Sequence, residues 1–216
     1  MAGGDRRQER ERMIENQLIS RGISDERVLE AFLEVPRHFF VPAAHRRQAY
    51  ADRPLPIGKN QTISQPYIVA QMIEELRLDK EDVVLEVGVG SGYAAAILSQ
   101  IVKKVYGIEL YEELIEEAEK RFDDLEYNNI ELKQGDGTLG WEEKSPFDGI
   151  LVSAAAPHIP QSLWEQLRNE KYMVIPVGDK FVQKLMQAKK TAEGEVINRN
   201  LGMVRFVSLK GKEGWS

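Results

Sequence analysis

The chain contains no cysteine, only three histidines, and 8% aromatic residues among its 216. Without cysteine there is no disulfide, no thiolate metal site and no cysteine nucleophile. The histidines, His38, His45 and His158, are too scattered in sequence to frame a metal centre, so none is expected. No apolar run reaches the roughly 18 residues a membrane-spanning helix requires. The stretch Asp5-Arg6-Arg7-Gln8-Glu9-Arg10-Glu11-Arg12 is charged and lacks an apolar signal region. Cytoplasmic location with no membrane partner is therefore the expectation. Positive charge of the kind a phosphate backbone demands is also missing. The net charge is −6, and basic residues are interspersed with Glu, so no nucleic-acid partner is expected.

What is present suffices for one domain with a modest extension. A 42% hydrophobic fraction can build a full core, and 30% charged residues leave a solvated surface. The chain divides into an N-terminal helical extension with a long irregular loop, residues 1–80, and an α/β core, residues 81–216, as parts of one domain. The first eight residues are expected to fray. A helix is predicted over 9–20, with Met13, Ile14, Leu18 and Ile19 on one side. A second follows, with Ser24 as N-cap, a stripe of Val28, Leu29, Phe32 and Leu33, and Pro36 as its stop. Prolines and a glycine exclude regular structure around 54–58. A third helix starts at Pro66, with Val69, Met72, Ile73 and Leu76 buried.

From residue 82 strands and helices alternate. Strands are predicted at Val83–Val87, Val105–Ile108, Ile130–Leu132, Phe147–Val152 and Tyr172–Val177, with helices over 92–102, 112–124 and 161–167. Near-continuous apolar strands in such an alternation imply a parallel sheet covered on both faces. Phe181–Ala188, Glu195–Ile197 and Met203–Leu209 have no helices between them, which implies antiparallel pairing at a C-terminal edge.

The chemistry concentrates at strand ends. Val83-Val84-Leu85-Glu86-Val87-Gly88-Val89-Gly90-Ser91-Gly92 runs a strand into three alternating glycines and then a helix. Backbone N–H groups there can approach a nucleotide-like ligand closely. A dinucleotide fingerprint would place a glycine at Tyr93, and a P-loop would follow with Gly-Lys-Ser/Thr; neither is found. Glu109 ends the next strand and can accept from ribose hydroxyls. Asp136, within Gly135-Asp136-Gly137, can accept from an adenine amine. The acid-x-Gly-x-Gly-x-Gly pattern that Glu86 opens resembles motif I of Rossmann-like S-adenosylmethionine methyltransferases. Thr62-Ile63-Ser64-Gln65-Pro66 lies outside this unit, and its spacing alone is compatible with simple capping of the helix at Pro66.

Several segments taken together carry a more specific resemblance. They are Pro36–Pro42, Ala49–Gly58, Gln61–Tyr67, Glu86–Tyr93, Gly135–Gly137 and Ala154–Pro157. Over about residues 10–210 the chain resembles the protein-L-isoaspartate (D-aspartate) O-methyltransferases. That resemblance implies a doubly wound α/β fold and S-adenosyl-L-methionine as cofactor, with S-adenosyl-L-homocysteine as product. It implies damaged proteins and peptides with isoaspartyl residues as substrates, and it makes the irregular loop within residues 1–80 a substrate loop. A monomer is the expectation, independent of the resemblance. Ser64 matches the active-site serine. Cofactor contacts are implied for Glu86, Val87, Gly88, Gly90, Gly92, Glu109, Leu110, Asp136 and Gly137, and substrate contacts for Pro56, Ile57, Thr62, Ile63, Ser64 and Val207. Two departures from the family pattern stand out: Val89 between the first glycines, and Arg168-Asn169-Glu170-Lys171, which leaves the loop before the fifth strand open in shape. Other methyl acceptors fit less well. Cytosine C5 chemistry requires a cysteine, and exocyclic amine chemistry an (Asp/Asn)-Pro-Pro-(Tyr/Phe) segment where Ser153-Ala154-Ala155-Ala156-Pro157-His158 stands. The alternatives left open are an O-methyltransferase of a small carboxylic acid and a non-catalytic S-adenosylmethionine-binding adapter.

Overall fold

The computed structural model describes residues 6–216. Its N-terminal part comprises helices α1 (Arg7–Met13), α2 (Glu26–Glu34) and α3 (Pro66–Glu74) and a short ribbon of β1 (Leu55–Gly58) and β2 (Gln61–Ile63). The core follows as β3 (Val83–Val87), α4 (Tyr93–Ser99), β4 (Lys104–Glu109), α5 (Glu112–Asp124), β5 (Ile130–Gln134) and β6 (Phe147–Val152). It ends with α6 (Gln161–Gln166), β7 (Leu167–Gly178), β8 (Gln183–Lys190) and β9 (Val196–Val204).

Seven strands form one sheet in the order β5-β4-β3-β6-β7-β8-β9. The pairs from β5 to β7 are parallel, and β7–β8 and β8–β9 are antiparallel. The architecture is thus a Rossmann-like, mostly parallel doubly wound sheet with an antiparallel C-terminal edge. The chain winds outward from β3 to β5 and then returns to β6 beside β3, so the switch point lies between those two strands. Alternate strand residues serve opposite faces. Val84, Leu151 and Val174 join one apolar cluster with the N-terminal helices, while Leu85, Ile150 and Met173 join the other. Burial on both sides is why these strands read as continuous apolar runs.

Several boundaries differ from the sequence reading, each for a local reason. The predicted frayed stretch 1–8 falls partly outside the described residues, but Arg7 and Gln8 are already helical. After Met13 the helix widens to a π turn over Ile14–Leu18 and tightens to a 3-10 turn over Ile19–Arg21, where Ile19 is 51% exposed. Asp25, not Ser24, caps α2, accepting from the Arg27 N–H at 3.0 Å. The N–H of Ser24 instead donates to Glu74 at 2.7 Å. Residues 54–58 were expected to be irregular, yet β1 pairs with β2, Pro56 opposite Thr62. Lys59 and Asn60, both at positive φ, make the two-residue turn. The helix expected over 92–102 is confined to Tyr93–Ser99, and β7 starts at Leu167, so Arg168–Lys171 are strand. The expected strands at 195–197 and 203–209 are one strand, β9, after which 205–209 leaves the sheet edge.

The N-terminal layer packs directly on the glycine loop's helix. Phe32 of α2 is fully buried and meets the Tyr93 ring edge-on, centroids 5.9 Å apart. Phe32→Ala should therefore lower the unfolding free energy by about 3–5 kcal/mol, measured by urea denaturation.

Candidate active site

The loop from β3 to α4 is shaped by backbone conformations that favour glycine. Gly88, Gly90 and Gly92 have φ values of 83°, 56° and 87°. A Cβ on Gly92 would stand 2.6 Å from the Phe122 ring of α5, so Gly92 serves close packing behind the loop. Gly90 faces the ligand side, and its N–H donates to Glu109 Oε2 at 2.9 Å. The other Glu109 oxygen accepts from the N–H groups of Leu110 at 2.8 Å and Tyr111 at 3.1 Å. One buried carboxylate thereby joins the glycine loop to the end of β4.

Glu86 on β3 is also buried. Its Oε1 accepts from the Ser153 hydroxyl at 3.2 Å, and its Oε2 has no hydrogen-bond partner among the described residues. Burial pushes this carboxyl up to about 8; the Ser153 hydrogen bond opposes the rise and the nearby Glu109 adds to it. Asp136 is differently placed. Its Oδ1 accepts from both the N–H and the hydroxyl of Thr138, at 2.9 and 2.6 Å, and its Oδ2 accepts from the Lys212 N–H at 2.7 Å. It caps the turn at Gly137–Leu139 and pins the C-terminal segment.

A cleft with about 600 Å³ of open space runs over these strand ends. Val87, Gly88, Gly90, Glu109, Leu110 and Gly137 line it. A second space of about 780 Å³, open to solvent, adjoins it, bounded by Pro54, Ser64, Gln65, Ile68 and residues 203–207. Thr62, Ser153 and Val207 line both and form the wall between them. Ser64 also borders a smaller space, about 350 Å³, that reaches Glu86, Gly88 and Tyr93. The segment after β9 closes the cleft by pairing beside the extension of β6: Ala155 N–H donates to Val207 O, and Leu209 N–H to Ala155 O, each at 2.8 Å.

The protein-L-isoaspartate(D-aspartate) O-methyltransferase family model matches residues 8–214. The chain belongs to this family. It is 54% identical over 207 residues to a protein-L-isoaspartate O-methyltransferase of Pelotomaculum thermopropionicum, covering 96% of this chain and 90% of that one. A solved protein-L-isoaspartate O-methyltransferase superposes with a TM-score of 0.86 at 29% identity, over 95% of this chain and 67% of its own. A Plasmodium falciparum structure described as a protein-L-isoaspartate O-methyltransferase in complex with S-adenosyl-L-homocysteine gives 0.77 at 26% identity, over 92% and 96%.

Within this family site, the structure places the residues singled out from sequence unevenly. Gly88, Gly90, Glu109, Leu110, Gly137, Thr62 and Val207 line the cleft, and Ser64 the adjoining cavity. Gly92 and Asp136 are not among the residues that line the cleft. Ile57 packs against the glycine loop: a Cβ on Gly90 would come within 3.2 Å of its Cδ1. Pro56 is exposed on the ribbon. Neither Ser64 nor Gln65 caps α3 with its side chain; the Gln65 amide donates to Asp52 at 2.6 Å. His158 is exposed and lines none of these cavities, whereas His38 is buried against the Tyr50 hydroxyl at 2.7 Å. Among the described residues, no group of three or more His, Asp or Glu side chains is arranged to hold a metal ion.

Two residues of the site escaped sequence reasoning. Ser153 lines every space described and holds Glu86, yet a serine after an apolar strand carries no signal of its own. Arg37 is fully buried, donating from Nε to Ala49 O at 2.7 Å and from Nη2 to Ser64 O at 2.8 Å. Its guanidinium lies 4.8 Å from the Tyr93 ring centre, and burial lowers it to about 10.

The elevated Glu86 carboxyl has a consequence for stability. Its proton is held more tightly in the folded than in the unfolded chain, so stability declines as pH rises from the ordinary carboxylate range toward about 8. The slope from this one group is at most about 1.4 kcal/mol per pH unit. Glu86→Gln should flatten that decline and raise the melting temperature of the ligand-free protein near pH 8, read by thermal melts from about pH 5 upward.

Proposed function

We propose that this chain transfers a methyl group from S-adenosyl-L-methionine to the free carboxylate of L-isoaspartyl, and D-aspartyl, residues in damaged proteins. The observation that carries the reading is the wall shared by the two cavities. Thr62, Ser153 and Val207 separate a cleft over the glycine loop from a cavity containing Ser64, so donor and acceptor meet across a few side chains.

The residues present suit such a cofactor. A carboxylate oxygen of Glu86 without a partner can accept from a cationic amine. Glu109 and Asp136 keep acceptor capacity beyond the bonds they already make, toward ribose hydroxyls and an exocyclic amine respectively. Gly88 and Gly90 expose backbone without a Cβ. When bound, S-adenosylmethionine supplies an electrophilic methyl group. The acceptor requires no base, because a free α-carboxylate titrates at roughly 3.3–3.7 and is ionised at neutral pH. Ser64 makes no side-chain hydrogen bond among the described residues, so its hydroxyl is available to donate to the acceptor carboxylate. It orients the nucleophile and keeps its own proton, and the rate gain comes from alignment. Val207 and Thr62, which line both spaces, bound the place where that carboxylate must lie, and Ile63 lines the smaller space beside Ser64.

The same reading makes residues 1–80 and 81–216 one working unit, in a cytoplasmic monomer that acts without nucleic acid or membrane. The net charge of −6 supports independence of nucleic acid, and no helix among the described residues is long and apolar enough to cross a membrane.

Peptide pairs differing only in Asp versus isoAsp test the reaction: methyl label should enter only the isoaspartyl member, and equal or absent labelling would defeat the reading. Ser64→Ala should cut turnover about 10- to 100-fold while calorimetric affinity for S-adenosylhomocysteine stays unchanged. Unaltered turnover would leave Ser64 a purely structural residue. Glu109→Ala should weaken cofactor binding by about tenfold or more, equivalent to about 1.4 kcal/mol, through the same calorimetric titration.

A further inference from the structure

The cavity on the substrate side carries a single charge. Among the residues lining it, Arg205 is the only ionisable side chain, and no acid is present. Arg205 is exposed and makes no hydrogen bond or ion pair with any described residue. Arg199, on β9 just before this segment, shows the usual alternative, tied to Glu75 and Gln187. In a chain of net charge −6, a cation without a partner thus lines the cavity that an acceptor peptide must enter.

Its position along the chain gives that charge a defined reach. Arg205 precedes Val207 by two residues, at most about 7 Å of chain, and Val207 belongs to the wall between donor cleft and acceptor cavity. A peptide whose isoaspartyl carboxylate lies at that wall therefore runs its neighbouring residues past the guanidinium. We propose that Arg205 selects substrates in which an acidic side chain flanks the isoaspartyl residue. This rests on the isoaspartyl methyl-transfer reading above. A guanidinium presents paired N–H donors that match a carboxylate, and it repels a flanking Lys or Arg. Because the site is open to solvent, the discrimination is modest and sensitive to salt.

The experiment compares kcat/KM for isoaspartyl peptides carrying Glu, Gln or Lys one or two residues from the isoaspartate. The enzymes are wild type, Arg205→Gln and Arg205→Glu. Wild type should favour the Glu over the Gln peptide by a factor of about two to five, and the advantage should shrink as ionic strength rises. Arg205→Gln should bring the ratio to about one, and Arg205→Glu should invert it in favour of Lys, with the Gln peptide still turned over by all three. A ratio unchanged in Arg205→Gln overturns the proposal. So does an equal loss on every peptide, which would place Arg205 on the reacting carboxylate or in the fold. A wild type inert on all isoaspartyl peptides overturns the functional reading itself, and the selectivity with it.

Discussion

The geometry of the site hangs on one buried carboxylate. Glu109 accepts backbone N–H groups from Gly90, Leu110 and Tyr111, so the glycine loop and the end of β4 move as one piece. Hydrogen bonds to a charged group are worth about 1.5–3 kcal/mol each, and three of them converge on a single side chain. The parallel register does the rest. β3 lies between β4 and β6 with its carboxyl end level with theirs, and the ladder continues past the strands through Gly88 N–H to Ile108 O and Ser153 N–H to Val87 O, each at 2.8 Å. A ligand over Gly88 and Gly90 thus rests on a surface whose height is set by the sheet.

The N-terminal layer is fitted to that surface by apolar contact and by one buried cation. Ile57 of the ribbon packs on Gly90, and Phe32 and Phe40 meet the Tyr93 ring at the head of α4. Arg37 sits among them without a carboxylate partner, its hydrogen bonds going to the carbonyls of Ala49 and Ser64. Burying an unpaired guanidinium is costly, and the return is positional: the backbone at Ser64 is held against the core at the point where the ribbon turns into α3. Loop, ribbon and helix cap are consequently one continuous packing problem.

Legibility in the sequence followed pattern strength. α5 spans Glu112–Asp124 and β6 spans Phe147–Val152 as the periodicity predicts, because a long amphipathic stripe and an unbroken apolar run admit one reading each. The ribbon was hidden because its strands are short and Pro56 and Gly58 read as breakers; the hairpin depends on positive φ at Lys59 and Asn60, which only the asparagine hints at. β9 was split in two because its middle, Asn198-Arg199-Asn200, is an exposed edge with no apolar alternation. In the site, the glycine loop and Glu109 stood out through spacing. Arg37 did not, since a charged residue beside a proline reads as surface, and its burial is decided by segments far away in sequence.

Carboxylates are unevenly distributed around the wall of Thr62, Ser153 and Val207. Glu109 lines the cleft over the glycine loop together with Lys210, Glu86 borders the smaller space it shares with Ser64, and no acid lines the cavity that holds Arg205. This distribution suits the reactants, one cationic at the reacting end and the other a carboxylate. It would be compromised if Glu86 stood ionised next to an arriving carboxylate. Burial opposes this by pushing the Glu86 carboxyl up to about 8. A cation within about 4–6 Å favours the ionised form of a carboxyl, so Glu86 is drawn back toward ionisation only when a positive group lies beside it. Its charge is then compensated where it forms.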